Sequence, residues 1–304
     1  SRQWFSKNDI MDSISFNSKI LLFGEYGIMH DSDALSIPYK KFNGFLSKSD
    51  LLSEDQKISN RNLESLFEYI IQEEYLNDII NSDNLKEEID SGLYFDSNIP
   101  IGSGLGSSGA LVSSIISRYS KVDLKSFSNS ELKKIMSLVE SKFHGNSSGF
   151  DPAVSYFNKP MLYSNQKIKP IEKIAFKDFK VYIIDSQIVS STKKMIKTFE
   201  NKMSNSEFRL FFNSKFINNN NQCIEHIINT SELFRNSVKE LSKDTFNNFQ
   251  EMIPEKIKHK WKEGIKNDSY YMKLCGSGGG GFFLAYDFDN QINSSFSEFK
   301  FYQI

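Results

Sequence analysis

Eleven residues, Pro100-Ile101-Gly102-Ser103-Gly104-Leu105-Gly106-Ser107-Ser108-Gly109-Ala110, run straight into an apolar helical repeat at Leu111, Ile115, Ile116 and Tyr119. No other stretch constrains the fold as tightly. Glycines at alternate positions let the backbone approach a ligand closely, and the helix start that follows gathers unpaired N–H groups and partial positive charge. Together they make a phosphate cradle, with the Ser107 and Ser108 hydroxyls free to bind phosphate or a magnesium ion. A tight, serine-capped turn would use the same residues, so the loop alone leaves both readings open. The GxxxxGK[ST] phosphate loop is excluded, because no glycine is followed by Lys and Ser/Thr in that way. The GxGxxG pattern occurs at Gly104, Gly106 and Gly109, with Asp123 near the expected offset, and again at Gly276, Gly278 and Gly281. A dinucleotide site needs that pattern directly after a strand in a βαβ unit, and Asp96–Pro100 intervenes here.

Three further segments carry chemistry. His144-Gly145-Asn146-Ser147-Ser148-Gly149-Phe150-Asp151 closes a helix that holds Glu140 one turn beyond the apolar Met136. A charge bordering a buried stripe needs a partner such as a metal ion or lysine, unless it turns out to solvent. Lys273-Leu274-Cys275-Gly276-Ser277-Gly278-Gly279-Gly280-Gly281 lies between strand-like runs at 270–274 and 282–286. A glycine loop so placed packs against another backbone or a ligand; Cys275, without a nearby base, is a packing residue. Lys19 leads the apolar run Ile20–Phe23, and Gly24-Glu25-Tyr26-Gly27 follows it.

The rest of the chain reads as mixed helix and strand without regular alternation, an α+β class. Apolar periodicity predicts helices from Leu66 to Ile80, from 111 to 119, and from Ser130 as N-cap through Phe143. Strands are predicted at 92–95, 153–157, 160–163 and 181–184, and helices dominate from Thr192 to Lys266. The Asn218–Asn221 run reads as a solvated loop between helices. A boundary near residue 172 divides the 304 residues into 1–172 and 173–304.

Charge excludes several functions. Lys plus Arg is 37 and Asp plus Glu is 38, net −1, so no long-range positive field exists to hold nucleic acid. No apolar run reaches the ~18–20 residues of a membrane span. Two cysteines, Cys223 and Cys275, cannot build a disulfide framework, which points to a reducing, cytoplasmic setting. His30, His144, His226 and His259 form no zinc-ligand spacing.

Taken in order, the Lys-led strand with Gly-Glu, PxGxGLGSS, HGNxSGxD and the KLxGxGGGG loop resemble the GHMP kinase superfamily of galactokinase, homoserine, mevalonate and phosphomevalonate kinases. HGNSSGFD and Lys19 are most similar to the mevalonate kinases, and Asp185-Ser186 with Ser191-Thr192-Lys193 resembles their segment between domains. The resemblance implies a two-domain α+β fold, with a ribosomal S5 domain 2-like N-terminal half (1–172, binding ATP and Mg2+), a C-terminal kinase half (173–304) and a cleft between them. It implies Asp151 and Lys19 as catalytic residues, and Gly102, Ser103, Gly104, Leu105, Gly106, Ser107 and Ser108 as the ATP phosphate cradle. Ser108 and Glu140 fall on the Mg2+ ligands, and Glu25, Tyr26, His144, Ser148, Thr192, Gly278 and Gly279 on the substrate pocket. The implied activity is ATP-dependent phosphorylation of a small alcohol: mevalonate first, with phosphomevalonate or another alcohol as the alternative and diphosphomevalonate decarboxylase further off. Partners are a small-molecule substrate, without nucleic acid or membrane, and a homodimer stays open. Two departures stand out: Tyr26 occupies the place of the histidine usual in mevalonate kinases, and Gly109 that of an alanine, which leaves a weaker first helical turn by roughly 1 kcal/mol.

Overall fold

The computed structural model describes residues 14–304, which form two compact units interleaved along the chain. One unites the chain up to Lys19 with Pro38–Ile99 and Gly106–Lys159; the other unites Ile20–Ile37, Pro100–Leu105 and Pro160–Ile304. Strands β1 (Phe16–Phe23) and β2 (Ala34–Lys48) each pass from one unit into the other.

In the first unit β2 continues to Lys48, followed by helices α1 (Glu54–Gln72), α2 (Glu74–Ile79) and α3 (Ser82–Asp90). Strand β3 (Leu93–Ser97) then pairs antiparallel with β2, in register from Gly44 opposite Ser97 to Lys48 opposite Leu93. Helix α1 starts on a capping box, Ser53 with Gln56, and buries Leu63, Leu66 and Ile70. Helices α4 (Ser107–Tyr119), α5 (Asn129–His144) and α6 (Phe150–Phe157) complete the unit. The N-cap of helix α5 is Ser128, two residues before the expected Ser130. Ser128 accepts the Glu131 N–H while the Glu131 carboxylate accepts the Ser128 N–H, and Ser130 has no such reciprocal partner.

The segment 153–157, expected as a strand, is helical. Gly149, in the left-handed region, caps α6, Pro152 sits in its first turn where no intrahelical N–H is needed, and Asn158 ends it at φ 49°. Ala153 and Val154 are buried, so a short helix buried on its core side looks like a strand to apolar runs alone. Helix α4 lies close along α6: a Cβ at Gly109 would sit 2.9 Å from the Asp151 carbonyl carbon and 3.0 Å from the Pro152 nitrogen. Gly109 is therefore the residue that admits the contact, and its low helix propensity is the lesser term.

In the second unit the N-terminal part of β2 pairs with β4 (Met161–Ser164), and β4 with β5 (Lys167–Pro170), all antiparallel. A second antiparallel sheet has the order β7 (Tyr270–Leu274), β8 (Phe282–Asp287), β6 (Lys180–Asp185), β9 (Lys300–Gln303). Every residue of β7 and β8 is buried. Helices α7 (Thr192–Met203), α8 (Ser206–Phe211), α9 (Ile217–Ile228), α10 (Phe234–Asn248), α11 (Glu255–Asn267) and the short α12 (Ile292–Ser295) fill the rest. Between α8 and α9 a π turn at Phe212–Phe216 keeps the chain helical.

The asparagine run thus lies inside α9 and not in a solvated loop. Asn220 is buried, donating to Ser32 Oγ and to Asp33 O, each at 2.9 Å, and Asn221 Oδ1 accepts the Asp33 N–H at 3.1 Å. Asparagine favours loops because its amide competes for backbone groups. Here those amides serve another segment's backbone, which removes the competition.

Candidate active site

Lys19 stands in β1 between Ser18 and Ile20 and is 4% exposed. A lysine buried this far needs an anion, and its Nζ lies 2.9 Å from Asp151 Oδ2 in the first turn of α6. The methylene stem crosses Gly106, where a Cβ would come within 2.7 Å of Lys19 Cγ. Gly106 takes φ 78° as the cap of α4 and, having no side chain, gives that helix start no side-chain cap hydrogen bond. A helix start without a side-chain cap, beside a buried cation, suits a phosphate.

Glu140 on α5 is 4% exposed, so the solvent-facing alternative for it falls away. The Ser108 hydroxyl reaches Oε1 at 3.4 Å and the Ser147 hydroxyl bonds to Oε2. Burial, then the negative charge of Asp151, push the Glu140 carboxyl up to about 8, against the opposing pull of Ser147, Lys19 and Ser108. A carboxylate held this reluctantly gains from a cation. Hard oxygen donors, one carboxylate and a hydroxyl, fit magnesium, which takes one or two carboxylates and leaves the rest of its shell to phosphates and water. Ser147 was not singled out in the sequence. Its neighbour Ser148 instead accepts the Phe150 N–H at 3.3 Å in the turn that opens α6. The side chain of His144 lies outside the described residues.

In the second unit the two glycine loops pack backbone on backbone. The Cβ position of Gly104 is taken by the Cys275 carbonyl oxygen, Gly281 faces Gly102 O and Ser103 Cα, and the Phe282 N–H donates to Ser103 O at 3.3 Å. Cys275 itself is buried. Glu25, expected in the substrate pocket, forms an ion pair with Lys273 in which both side chains are buried, and Lys273 also donates to Leu274 O at 2.9 Å. Lys273 was overlooked because a lysine ending a strand is ordinarily solvated. Tyr26 donates its hydroxyl to Ser277 O at 2.5 Å, and the Ser190 hydroxyl donates to Gly278 O. Thr192 is exposed in the first turn of α7, behind the cap Ser191. Lys19, Asp151, Gly106, Ser107, Ser108 and Glu140 thus share one unit, while Gly102–Leu105, Glu25, Tyr26, Thr192, Gly278 and Gly279 share the other.

This geometry and fold have counterparts. Residues 70–159 match the family of GHMP kinases N terminal domain. The structure is similar to mevalonate kinase of Methanococcus jannaschii (TM-score 0.63, 17% identity, covering 95% of this chain and 96% of that one). It is also similar to Streptococcus pneumoniae phosphomevalonate kinase in complex with phosphomevalonate and AMPPNP (TM-score 0.61, 14% identity, 96% and 99% covered). The α+β fold is shared with these solved kinases and with Lactococcus lactis galactokinase complexed with galactose. In sequence the chain is similar to mevalonate kinases: it is 27% identical over 198 residues to that of Thermococcus gammatolerans, covering 59% of this chain, and 32% identical over 100 residues to that of Pyrococcus horikoshii, covering 33%. These matches span 58% and 29% of the relatives' own lengths. Among the described residues, no helix is long and apolar enough to cross a membrane.

Proposed function

We propose that this chain is a small-molecule kinase that transfers the γ-phosphoryl group of ATP to the primary alcohol of mevalonate. The observation that carries the reading is the 2.9 Å pair of buried Lys19 and half-buried Asp151 beside the start of α4, which has no side-chain cap. Phosphoryl transfer has a loose, charged transition state, so positioning and charge neutralisation dominate. Asp151 takes the proton of the attacking hydroxyl, and Lys19 stabilises the developing alkoxide. The amides of Gly106 and the residues after it hold phosphate oxygens. Ser108 and Glu140 would hold Mg2+, which supplies charge neutralisation between phosphates. Residues 1–172 carry the nucleotide machinery in this reading and 173–304 complete the kinase. The burial of Cys223 and Cys275 accords with a cytoplasmic setting, where thiols stay reduced.

A second acceptor, phosphomevalonate, is favoured by one residue, Tyr26, where the mevalonate kinase pattern has histidine. Incubation with MgATP and mevalonate, phosphomevalonate, homoserine or galactose, followed by ADP release, decides. Mevalonate-dependent ADP release is expected; release with phosphomevalonate alone moves the assignment to the second acceptor. Carbon dioxide release from a diphosphorylated substrate would make the protein a decarboxylase.

A further inference from the structure

Glu140 brings two carboxylate oxygens into the interior of the first unit, and the structure treats them differently. Oε2 accepts the hydroxyl proton of Ser147, whereas Oε1 faces the Ser108 hydroxyl at a long 3.4 Å. The Ser147 oxygen is itself in use, accepting the Gly149 N–H at 3.0 Å. That bond makes an ordinary serine turn, for which the oxygen alone suffices. The proton has no part in the turn, and it goes to Glu140.

Ser147 is held where it stands. Its carbonyl accepts the Ser137 hydroxyl at 2.5 Å, and the Ser141 hydroxyl donates in turn to Ser137 O at 2.7 Å. Ser137, Glu140 and Ser141 all belong to α5, so the loop is tied to the very helix that carries the carboxylate. Gly149, at φ 71°, closes the loop where no side chain fits: a Cβ there would lie 2.6 Å from Lys133 O and 2.9 Å from Ser137 N. Backbone and side chains together thus fix 147–149 against α5, and the Ser147 hydroxyl meets Oε2 at a set place. All of these groups lie in the first unit.

A carboxylate with one oxygen engaged by a hydroxyl offers a cation the other. Hard divalent ions use that offer differently. Ca2+ takes about six to eight oxygens and accepts both oxygens of one carboxylate, whereas Mg2+ takes about six in a tight octahedron, with water and phosphate beside the carboxylate. Hydrogen bonds to a ligating carboxylate also fix its direction, and losing one costs about 10–100-fold in metal affinity.

We propose that Ser147 is a positioning residue that reserves Oε1 of Glu140 for the metal, and so sets the site's preference for Mg2+ over Ca2+. The proposal rests on the phosphoryl-transfer reading, in which Ser108 and Glu140 hold the ion, and gives Ser147 a task that neither of them performs.

The test titrates the full chain with AMPPNP, a non-hydrolysable ATP analogue, in EDTA, in saturating Mg2+ and in saturating Ca2+. In the wild type, Mg2+ is expected to tighten AMPPNP binding about tenfold more than Ca2+ does. Ser147→Ala is expected to lose about tenfold of the Mg2+ effect while keeping the Ca2+ effect. Binding in EDTA should not change, because the amides at the start of α4 are untouched. Ser147→Thr, which keeps the hydroxyl, is expected to restore the Mg2+ effect. Equal tightening by both ions in the wild type, an undiminished Mg2+ effect in Ser147→Ala, equal losses with both ions, or no rescue by threonine would each overturn the assignment. Weaker binding of Ser147→Ala in EDTA would overturn it too, since a residue that only shapes the loop behaves that way. The wild-type comparison stands even if the alanine variant does not fold. Because binding alone is read, a chain with this metal preference that phosphorylates no alcohol would refute the function and keep the role of Ser147. Phosphorylation of mevalonate without the preference would do the reverse.

Discussion

Lys19 and Asp151 lie 132 positions apart and meet at 2.9 Å, the half-buried carboxylate supplying the opposite charge that buried Lys19 requires. Removing the carboxylate charge while keeping its shape isolates the proton-accepting role: Asp151→Asn is expected to lose on the order of 10²–10⁴ in turnover, with ATP affinity within a few-fold. Steady-state ADP release together with calorimetric nucleotide titration checks both halves. Glu140 makes a separate prediction through pH. Its folded-state carboxyl is raised to about 8, above the ordinary value of 4.5, so the native state keeps a proton that the unfolded chain releases. The stability this contributes is complete below about pH 4.5 and is lost as pH climbs toward 8. Metal-free protein should therefore unfold at falling temperatures across that window, and Glu140→Gln should flatten the slope. A thermal midpoint series at constant ionic strength reads it. The sequence located Lys19, Glu140 and Asp151 but passed over Ser147 and Lys273. One serine among several, or one lysine at a strand end, carries no local sign of burial.

Helices α4 and α6 illustrate how elements answer to neighbours more than to propensity. By helix propensity, alanine at position 109 should stabilise α4 by roughly 1 kcal/mol. The Cβ would, however, press on the backbone of Asp151 and Pro152, which cannot rotate aside. Gly109→Ala is expected to destabilise the protein by about 1–3 kcal/mol net, the usual cost of overpacking, and to lower activity by displacing Asp151. Urea unfolding and turnover measured on the same preparation test the sign. The same lesson applies to 153–157 and 218–221, whose residues suggested a strand and a loop. In the first, caps at Gly149 and Asn158 impose a helix; in the second, distant backbone at Ser32 and Asp33 absorbs the asparagine amides. The strands at 270–274 and 282–286 were legible because continuous apolar runs between glycines have few other uses.

At the scale of the molecule, interleaving sets what can stand alone. A fragment of residues 173–304 leaves behind Glu25, the partner of Lys273, and Gly102–Leu105, against which the second glycine loop packs. Stranding a buried cation costs about 3–5 kcal/mol, a large share of an ordinary domain's stability. The fragment is expected to show no cooperative unfolding transition by circular dichroism, and a sharp transition would refute the dependence. By itself the sequence determined the α+β class, the two glycine loops and the charged residues of the site, because glycine spacing, apolar period and charge inside apolar runs are local properties. Only the tertiary structure decided which charge meets which and why Gly109 must lack a side chain. Those depend on atoms brought together from distant segments, 42 residues apart for Gly109 and Asp151 and 248 for Glu25 and Lys273.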